Sequence, residues 1–346
     1  MAHRIRGSGN VTIIDVAREA GVSYATVSRV INNEAHVKSE TREQVLQAMT
    51  RLGYTVNRQA RSLAGGRSQM IGLLVHDLGT SYIGEIIRGI DAELSTAQYD
   101  LMLYTTHRRK TKESTYVASL TRGLADGLLI VLPRNLEAYL PSLRQRRFPS
   151  VLIDYQGNAS VPSVGARNHE GVYEAITYLI GLGHRRIGFI TGAQDVDCTH
   201  ARLEGYRAAL AAHGLATDEA LIREGNFSQS MGYAATQALL DLPDPPTAIF
   251  ASNDVSAFGV MDAARDRGLR IPDDISVIGF DDIPEAAYVH PPLTTVRQPL
   301  EAMGRTAAHM LLTYIEDPER PDEHLDLPTE LIVRASCRPP RDRRDS

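Results

Sequence analysis

Near its start, the chain repeats apolar residues every three or four positions in two short stretches that a glycine separates. The apolar positions of the first stretch are Ile13, Val16, Ala17 and Ala20. This spacing predicts a helix that begins at a Thr12 cap and ends at Gly21, because glycine readily takes the left-handed conformation found after helix ends. The second stretch predicts a helix from Tyr24 to Ile31, capped by Ser23. Its apolar stripe consists of Val27, Val30 and Ile31.

Two short helices joined by a tight turn are the layout of a helix-turn-helix. In that motif the second helix enters the DNA major groove, and residues near its start meet base edges. Tyr24, Ala25 and Arg29 point away from the apolar stripe, so they are candidates for such contacts. The alternative is a plain helical hairpin inside a larger core.

A third helix is predicted after Ser39, because apolar residues recur at helical spacing until Gly53. Residues 1–56 are therefore predicted to form a helix-turn-helix domain. The next segment, Asn57 to Gly66, contains two arginines and is too short to be a stable helix alone. We expect residues 57–68 to be a linker that becomes helical only against a partner.

From Met70 onward, short apolar runs alternate with amphipathic stretches, which predicts parallel sheets built from right-handed crossovers. The predicted strands are Ile71–Val75, Leu101–Tyr104, Gly127–Leu132, Val151–Ile153, Ile187–Thr191, Ala248–Ala251 and Ile275–Phe280. The predicted helices are Ile83–Ala97, Glu113–Arg122, Gly171–Leu182, Ala201–His213, Met231–Leu240 and Val255–Arg267. Two successive α/β series predict two lobes, and a ligand would lie in the cleft between them, at the carboxyl ends of the strands.

Charge and cysteine content narrow the class of protein. Ten of the 37 lysines and arginines, but only five of the 42 acidic residues, precede Gln69, which is typical of a nucleic-acid-binding module on an acidic body.

Cys198 and Cys337 are the only cysteines, which argues against a disulfide framework and against a zinc site. No apolar run approaches the ~20 residues that span a bilayer. We expect no metal and no cofactor, and a cytoplasmic, nucleoid-associated location.

Several segments, in order along the chain, closely resemble the LacI/GalR family of transcriptional regulators. The segments are TIIDVAREAGVSYATVSRVIN, TREQVLQAMTRLGYTVNRQARSLAGGRSQMIGLL, GLGHRRIGFITG, ARLEGYRAAL, AIFASNDVSAFGVMDAARDRGLRIPDDISVIGFDDI and PPLTTVRQP. The resemblance runs from about Val11 to Cys337. It implies a three-helix headpiece, a hinge helix and a two-lobed α/β core like that of periplasmic binding proteins.

The resemblance also implies domain boundaries and partners. The headpiece would be 1–56, the hinge 57–68, the effector-binding core 69–338 and a charged tail 339–346. Within the core, lobe 1 would comprise about 69–165 and 298–325, and lobe 2 about 167–295 and 327–338. Family members bind palindromic operators as homodimers. The implied function is a repressor of carbohydrate-utilisation genes whose operator affinity is modulated by a sugar bound between the lobes.

On the DNA side, the resemblance assigns roles to individual positions. Tyr24, Ala25 and Arg29 match base-reading positions, and an arginine bidentate to guanine is the commonest specific contact. The positions that match phosphate contacts are Thr12, Ser23, Thr26, Asn32 and His36. Asn57 lies in the hinge, and Leu63 and Ala64 match a pair whose leucine wedges into the minor groove and bends the duplex.

On the effector side, the resemblance marks polar and aromatic positions. The matching residues are His76, Tyr82, Asp154, Arg202, Phe227, Asn253 and Asp281. Arg202 would contact the polar groups of the ligand, and Tyr82 and Phe227 would stack on it. The chain departs from the family over His76–Ile83, where many relatives have P-D-x-x-N-P-F-F, so the identity of the effector cannot be taken from one relative.

Three other functions are alternatives. A free sugar-binding protein would lack the headpiece. An α/β enzyme would need a catalytic set or a phosphate loop such as G-x-G-x-x-G, and none is found; Asp281 and Asp282 are neighbours on a strand and point to opposite faces. The third alternative is a regulator whose core answers to a partner protein. Arg202 could also form an ordinary salt bridge within its lobe, with Asp281 as the candidate partner.

Overall fold

The computed structural model describes residues 11–31, 36–54, 67–107, 109–157 and 160–341. The chain divides into two compact units, Met1–Ser68 and Gln69–Ser346. Of the described helices, none is long and apolar enough to cross a membrane.

The first unit is built from short helices. Those described are α1 (Ile13–Glu19), α2 (Tyr24–Ile31) and α3 (Ser39–Leu52). Helix α1 begins at Thr12, whose backbone N–H and hydroxyl donate to the Asp15 carboxylate at 3.0 and 2.7 Å. These bonds lower the pKa of Asp15. Gly21 and Gly53 take positive φ after α1 and α3, as the sequence predicts.

The three helices share an apolar core. Its buried residues are Val16, Ala17, Val27, Val30, Val45 and Ala48. The Ser23 hydroxyl accepts the Thr26 backbone N–H at 3.1 Å and so begins α2. The structure therefore confirms the predicted three-helix headpiece with its helix-turn-helix.

The second unit alternates strands and helices. Its described strands are β1 (Met70–Val75), β2 (Asp100–Thr105), β3 (Gly127–Val131), β4 (Ser150–Ile153), β5 (Ser163–Ala166), β6 (Ile187–Thr191), β7 (Ile222–Glu224), β8 (Ala248–Ala251), β9 (Ser276–Asp281), β10 (Thr294–Arg297), β11 (His324–Leu327) and β12 (Glu330–Ile332). Its described helices are α4 (Ser81–Thr96), α5 (Lys110–Leu120), α6 (Leu140–Arg146), α7 (Asn168–Gly181), α8 (Asp197–Ala212), α9 (Gln229–Leu240), α10 (Asp254–Asp266) and α11 (Leu300–Glu316).

The described strands form two sheets, one in each lobe. The first sheet has the order β11-β5-β4-β3-β1-β2, and its paired strands are parallel. The second has the order β12-β10-β9-β8-β6-β7, in which β12 runs antiparallel to β10. The chain passes between the lobes from β5 to α7, from β10 to α11 and from β11 to β12. The two-lobed α/β architecture is therefore confirmed.

The observed element boundaries correct several predicted ones. Helices α4, α5, α7, α8, α9 and α10 begin one to four residues before their predicted starts. An apolar stripe marks the buried face of a helix, whereas the first turn is often polar and lies outside the stripe. Leu132 is not the last residue of a strand: it follows β3 with a φ of 49°. The hydrophobic pattern does not predict α6 or α11.

His184 joins the C-terminal segment to the second sheet. Its ring is 1% exposed, with Nδ1 2.8 Å from Thr247 Oγ1 and Nε2 3.1 Å from Ser276 Oγ and 3.0 Å from the Arg338 carbonyl oxygen. Burial lowers the pKa of His184. The neutral ring is thus the form that the fold stabilises.

We expect the free energy of unfolding of the second unit to decrease as the pH falls below about 6.5. The reason is that the unfolded imidazole binds a proton before the buried one does. Thermal melts of His184→Gln between about pH 7.5 and 5.5 should show a smaller loss of stability than the wild type. His290→Gln removes an exposed imidazole and should keep the wild-type pH dependence; if the two variants behave alike, His184 is not the titrating group.

Candidate nucleic-acid interface and ligand cleft

Helix α2 buries one side and exposes the other. Val27 and Val30 lie in the headpiece core, whereas Tyr24 is 53% exposed and Ala25 and Arg29 are also exposed. The helix contains no acidic residue, so its exposed side can face the phosphates of DNA without charge repulsion. The structure thus places the three predicted base-reading residues where a ligand can reach them.

The described candidates for phosphate contacts are three hydroxyl residues and one histidine, and three of these four are exposed. Thr12, Ser23 and His36 are exposed, and Thr26 is half-buried with its Oγ1 2.8 Å from Ser23 Oγ. The four remaining predicted DNA contacts lie outside the described residues. They are Asn32, Asn57, Leu63 and Ala64.

A pocket lies in the second unit, between the two sheets. Its empty space measures about 390 Å³ when the part that is open to solvent is counted. Its lining consists of His76, Thr80, Tyr82, Leu132, Asp154, Cys198, Arg202, Phe227, Asn253 and Asp281. All seven effector positions named from the sequence therefore surround the same pocket, at the carboxyl ends of strands as open α/β sheets favour.

Arg202 on α8 is the buried cation of this pocket and is 2% exposed. Its Nε donates to Asn168 Oδ1 at 2.7 Å, and its Nη1 donates to the Ser252 carbonyl oxygen. Nη2 lies 3.9 Å from Asp154 Oδ2, and Nη1 lies 4.0 Å from Asp281 Oδ1. Arg202 of lobe 2 is thus flanked by Asp154 of lobe 1 and Asp281 of lobe 2, and these carboxylates offset the positive charge of its guanidinium.

Two phenyl rings flank the Arg202 guanidinium. Its Cζ lies 3.8 Å from the centroid of Phe280 and 5.7 Å from that of Phe227. The negative face of an aromatic ring attracts a cation at such distances. The rings and the hydrogen bonds together hold the guanidinium in one orientation.

Asp154 and Tyr82 form the polar part of the lobe 1 wall. Asp154 follows β4 with a φ of 55° and is 2% exposed. The Tyr82 hydroxyl donates to Asp154 Oδ2 at 2.8 Å, and burial raises the pKa of Tyr82. Asp154 Oδ1 has no hydrogen-bond partner in the described part of the chain. A buried acceptor without a donor is costly, so this oxygen is well placed to accept from a ligand.

Asp281 forms the facing part of the lobe 2 wall. It ends β9 with a φ of 113°, and Gln298 Nε2 donates to its Oδ1 at 2.7 Å. Burial raises the pKa of Asp281 to about 7, while Arg202 and Gln298 act in the opposite direction. The Asp254 carboxylate fixes the turn that follows by accepting the Ile283 backbone N–H at 2.9 Å.

The neighbouring carboxylates Asp281 and Asp282 diverge, although Asp282 lies just beyond β9, with a φ of 57°, and not on the strand as the sequence predicts. Asp282 lies 2.7 Å from Arg297 Nε and 2.6 Å from Arg334 Nη2, outside the pocket. Among the described residues, no group of three or more His, Cys, Asp or Glu side chains is arranged to hold a metal ion.

Phe227 and Asn253 complete the lobe 2 wall. Phe227 has a φ of 53° and packs flat on Gly192, where a Cβ would lie only 2.0 Å from the ring. Asn253 caps α10, since its Oδ1 accepts the Ser256 backbone N–H at 2.9 Å. The amide oxygen of Asn253 is therefore used by the helix. Its Nδ2 donates to the Phe227 carbonyl oxygen at 3.5 Å, which leaves a second N–H that can face a ligand.

The sequence does not single out several residues that shape the pocket. Cys198 lies four residues before Arg202 on α8, a spacing that places both on one helix face and could have indicated it. It is 1% exposed, and burial raises the pKa of its thiol. Asn168 follows β5 and orients Arg202, and Gln298 follows β10 and orients Asp281. No local sequence pattern indicates either residue.

Comparisons with known proteins agree with this geometry. Residues 12–57 match the family model described as bacterial regulatory proteins, lacI family, and residues 176–337 match that of the periplasmic binding protein-like domain. The chain is 34% identical to catabolite control protein A of Priestia megaterium over 331 residues, which cover 95% of this chain and 100% of the relative. It is also 34% identical to the HTH-type transcriptional repressor CytR of Escherichia coli (strain K12), over 94% of this chain and 96% of the relative.

Solved structures show the same architecture. The lac repressor dimer bound to operator and the anti-inducer ONPF has a TM-score of 0.84 and 30% identity, over 95% of this chain and 99% of that chain. A complex of the transcriptional regulator CelR with cellobiose has a TM-score of 0.72 and 34% identity, over 94% of this chain and 100% of that chain.

A helix-turn-helix headpiece followed by a two-lobed core with a ligand cleft defines a DNA-binding transcriptional regulator. The chain belongs to the LacI family of bacterial regulatory proteins. Members of this family are regulators rather than enzymes.

Proposed function

We propose that this regulator is a repressor that binds a palindromic operator as a homodimer and responds to a neutral sugar in its cleft, with carbohydrate-utilisation genes as its targets. The observation that carries the ligand class is the buried Arg202 flanked by Asp154 and Asp281. Relatives support the proposed repression, operator binding as a dimer and response to a sugar: they include repressors, an operator-bound dimer and a cellobiose complex.

The composition of the pocket favours hydroxyl groups. A hydroxyl both donates and accepts, so it can donate to Asp154 Oδ1 and accept from Asn253 Nδ2. Tyr82 and Phe227 add apolar faces of the kind that pack against the C–H side of a sugar ring. Because two carboxylates flank one guanidinium, an anionic ligand would meet repulsion that a neutral one avoids.

The proposed DNA contacts follow from exposure and residue type. Tyr24 and Arg29 would read base edges, Ala25 would contact a thymine methyl group, and exposed hydroxyls such as Ser23 would bind phosphates. Residues 57–68 would join the headpiece to β1, whose first residue is Met70. Closure of the lobes on a ligand would move β1 and so change operator affinity.

Operator selection followed by a sugar screen tests the proposal. The full chain should select a palindromic sequence from a random DNA pool, and anisotropy titrations should find a neutral sugar that shifts operator affinity by about 5–150-fold. The matched phosphorylated or uronic-acid form of that sugar should have no effect. Failure to select a defined sequence overturns the DNA assignment, and selection without any sugar response overturns the ligand assignment.

A further inference from the structure

Two side-chain amides meet where the chain first crosses between the lobes. This crossover runs from Ala166, the last residue of β5 in lobe 1, to Asn168, the first residue of α7 in lobe 2. The Asn168 side chain is buried, although it carries three groups that need hydrogen-bond partners. The second amide belongs to Gln156, which follows β4 and is therefore part of lobe 1.

Gln156 and Asn168 bind to each other and to one backbone carbonyl group. Gln156 Nε2 donates to the Ala166 carbonyl oxygen at 2.7 Å, and Asn168 Nδ2 donates to the same oxygen and to Gln156 Oε1, both at 3.1 Å. The amide oxygen of Asn168 accepts Arg202 Nε at 2.7 Å. A flipped Asn168 amide would place donor against donor and acceptor against acceptor, so its contacts in lobe 1 fix the direction in which it holds Arg202.

Gln156 also contacts the strand that leads into the third crossover. Burial raises the pKa of Asp326 on β11, and a hydrogen bond from Gln156 acts in the opposite direction. Gly165 leaves room for this contact, since a Cβ there would lie 2.6 Å from Asp326 Oδ1. The Arg167 backbone N–H donates to the Leu327 carbonyl oxygen at 2.9 Å, so the first and third crossovers lie side by side. Both must bend when the lobes rotate.

The orientation of Arg202 therefore depends on the relation between the lobes. Gln156 belongs to lobe 1, whereas Asn168 and Arg202 belong to lobe 2, so rotation of the lobes changes the geometry of the amide pair. Hydrogen bonds weaken steeply outside a narrow range of distance and angle. Rotation must then break the pair or turn the Asn168 side chain, and either event loosens the acceptor that orients the guanidinium.

We propose that Gln156 is a positioning residue of the ligand response: through Asn168 it makes the orientation of Arg202 and the bend of the crossovers change together. A ligand that holds Arg202 then also favours one relation of the lobes. Gln156 acts from outside, since it does not line the ligand pocket. The proposal rests on the proposed function, because it assumes that a ligand contacts Arg202.

Denaturant unfolding of the full chain tests the link to Arg202 without a ligand. Arg202→Lys keeps a cation but removes the Nε donor, and Gln156→Met removes the amide. The double variant should shift the unfolding midpoint of the second unit by less than the sum of the single shifts, because the two groups act through one chain of hydrogen bonds. Gln145→Met replaces an exposed glutamine of the same lobe and should add in full to Arg202→Lys. Additive shifts for Gln156→Met overturn the proposal.

Operator titrations test whether this link carries the ligand response. The probes are glucose, galactose, ribose and cellobiose, and the measured quantity is the factor by which each changes the affinity for the selected operator. Gln156→Met should reduce that factor at least about threefold. The calorimetric affinity for the sugar should change by less than about twofold, and Gln145→Met should change neither quantity.

Asn168→Ala distinguishes this route from a general loosening of the lobes. Because the route passes through Asn168, adding Gln156→Met to Asn168→Ala should reduce the factor no further. If the two reductions multiply, or if Gln156→Met weakens sugar binding and leaves the factor unchanged, the proposal is overturned. If none of the four sugars changes the operator affinity of the wild type, the proposed response to sugar fails instead, and the unfolding measurements decide the link between Gln156 and Arg202.

Discussion

Replacing Arg202 with methionine is expected to lower the free energy of unfolding of the second unit by about 3–5 kcal/mol and to abolish the response to ligand. Asp154 and Asp281 lie 3.9 and 4.0 Å from the guanidinium and are buried with it. Without Arg202 their charges have no counter-charge in a site that excludes water, and a buried unpaired charge is among the most destabilising changes a side chain can make.

Denaturant unfolding at two pH values measures this effect. Burial already raises the pKa of Asp281 to about 7, and Arg202 opposes that rise. Removing Arg202 raises the pKa of Asp281 further, so at about pH 6 the group is protonated and its charge is not a penalty. The stability lost by Arg202→Met should therefore be larger at about pH 8 than at about pH 6.

A neighbouring arginine on the same helix provides the control. Arg207 forms a pair with Glu219 at 2.9 Å, but both side chains are well exposed, so Arg207→Met should cost less than about 1 kcal/mol. The double variant Arg202→Met with Asp281→Asn should recover part of the loss, because one of the two stranded charges is gone. Equal losses for Arg202→Met and Arg207→Met would show that Arg202 is not the counter-ion of this cleft.

The strands of the core show how much of the fold the sequence could predict. Strands such as β3, β6 and β8 are buried along their whole length, so they appear as continuous runs of apolar residues. Strands β5, β10, β11 and β12 have three or four residues each, and their pairing partners rather than their own pattern define them. The lobe boundaries that the family resemblance implies fall at or next to β5, β10 and β11, but the hydrophobic pattern did not predict these strands.

Helix α11 shows why local patterns can fail. It contains Gly304, which costs about 1 kcal/mol in a helix interior relative to alanine. A Cβ at this position would lie 2.1 Å from the Ile86 carbonyl oxygen of α4, and one at Gly89 would lie 1.9 Å from the Glu301 carbonyl oxygen. The two helices approach so closely that each requires glycine, a constraint visible only once they are packed.

The residues of the candidate cleft also include some that the sequence could predict and others that it could not. Residues at strand ends, such as Asp154 and Asp281, could be named because parallel strands deliver their carboxyl ends to one edge. Leu132 and Arg134 could not be named from the sequence. They reach the cleft on a loop whose backbone N–H groups donate to the carboxylate of Glu113, a residue distant in sequence. Their contribution depends on contacts across the lobes, which no stretch of sequence contains.

The change with the largest expected effect on DNA recognition is Arg29→Ala. Arg29 lies on the exposed side of α2, whose register is fixed by the Ser23 cap and by Val27 and Val30 in the headpiece core. A bidentate arginine–guanine contact discriminates against other bases by about 1–3 kcal/mol. The variant should lose about that much affinity for the selected operator and relax the preference at one base pair in each half-site.

Repeating the operator selection with the variant distinguishes base reading from general attraction. Arg51→Ala is the control: it removes the same charge from the end of α3, where Arg51 is 62% exposed and 3.7 Å from Glu19. A base contact changes the selected sequence at one position, whereas a phosphate contact weakens all sequences alike and reduces the salt dependence of binding. If Arg29→Ala selects the wild-type operator unchanged and only flattens the salt dependence, Arg29 binds the backbone, and Tyr24 remains the principal candidate for reading bases.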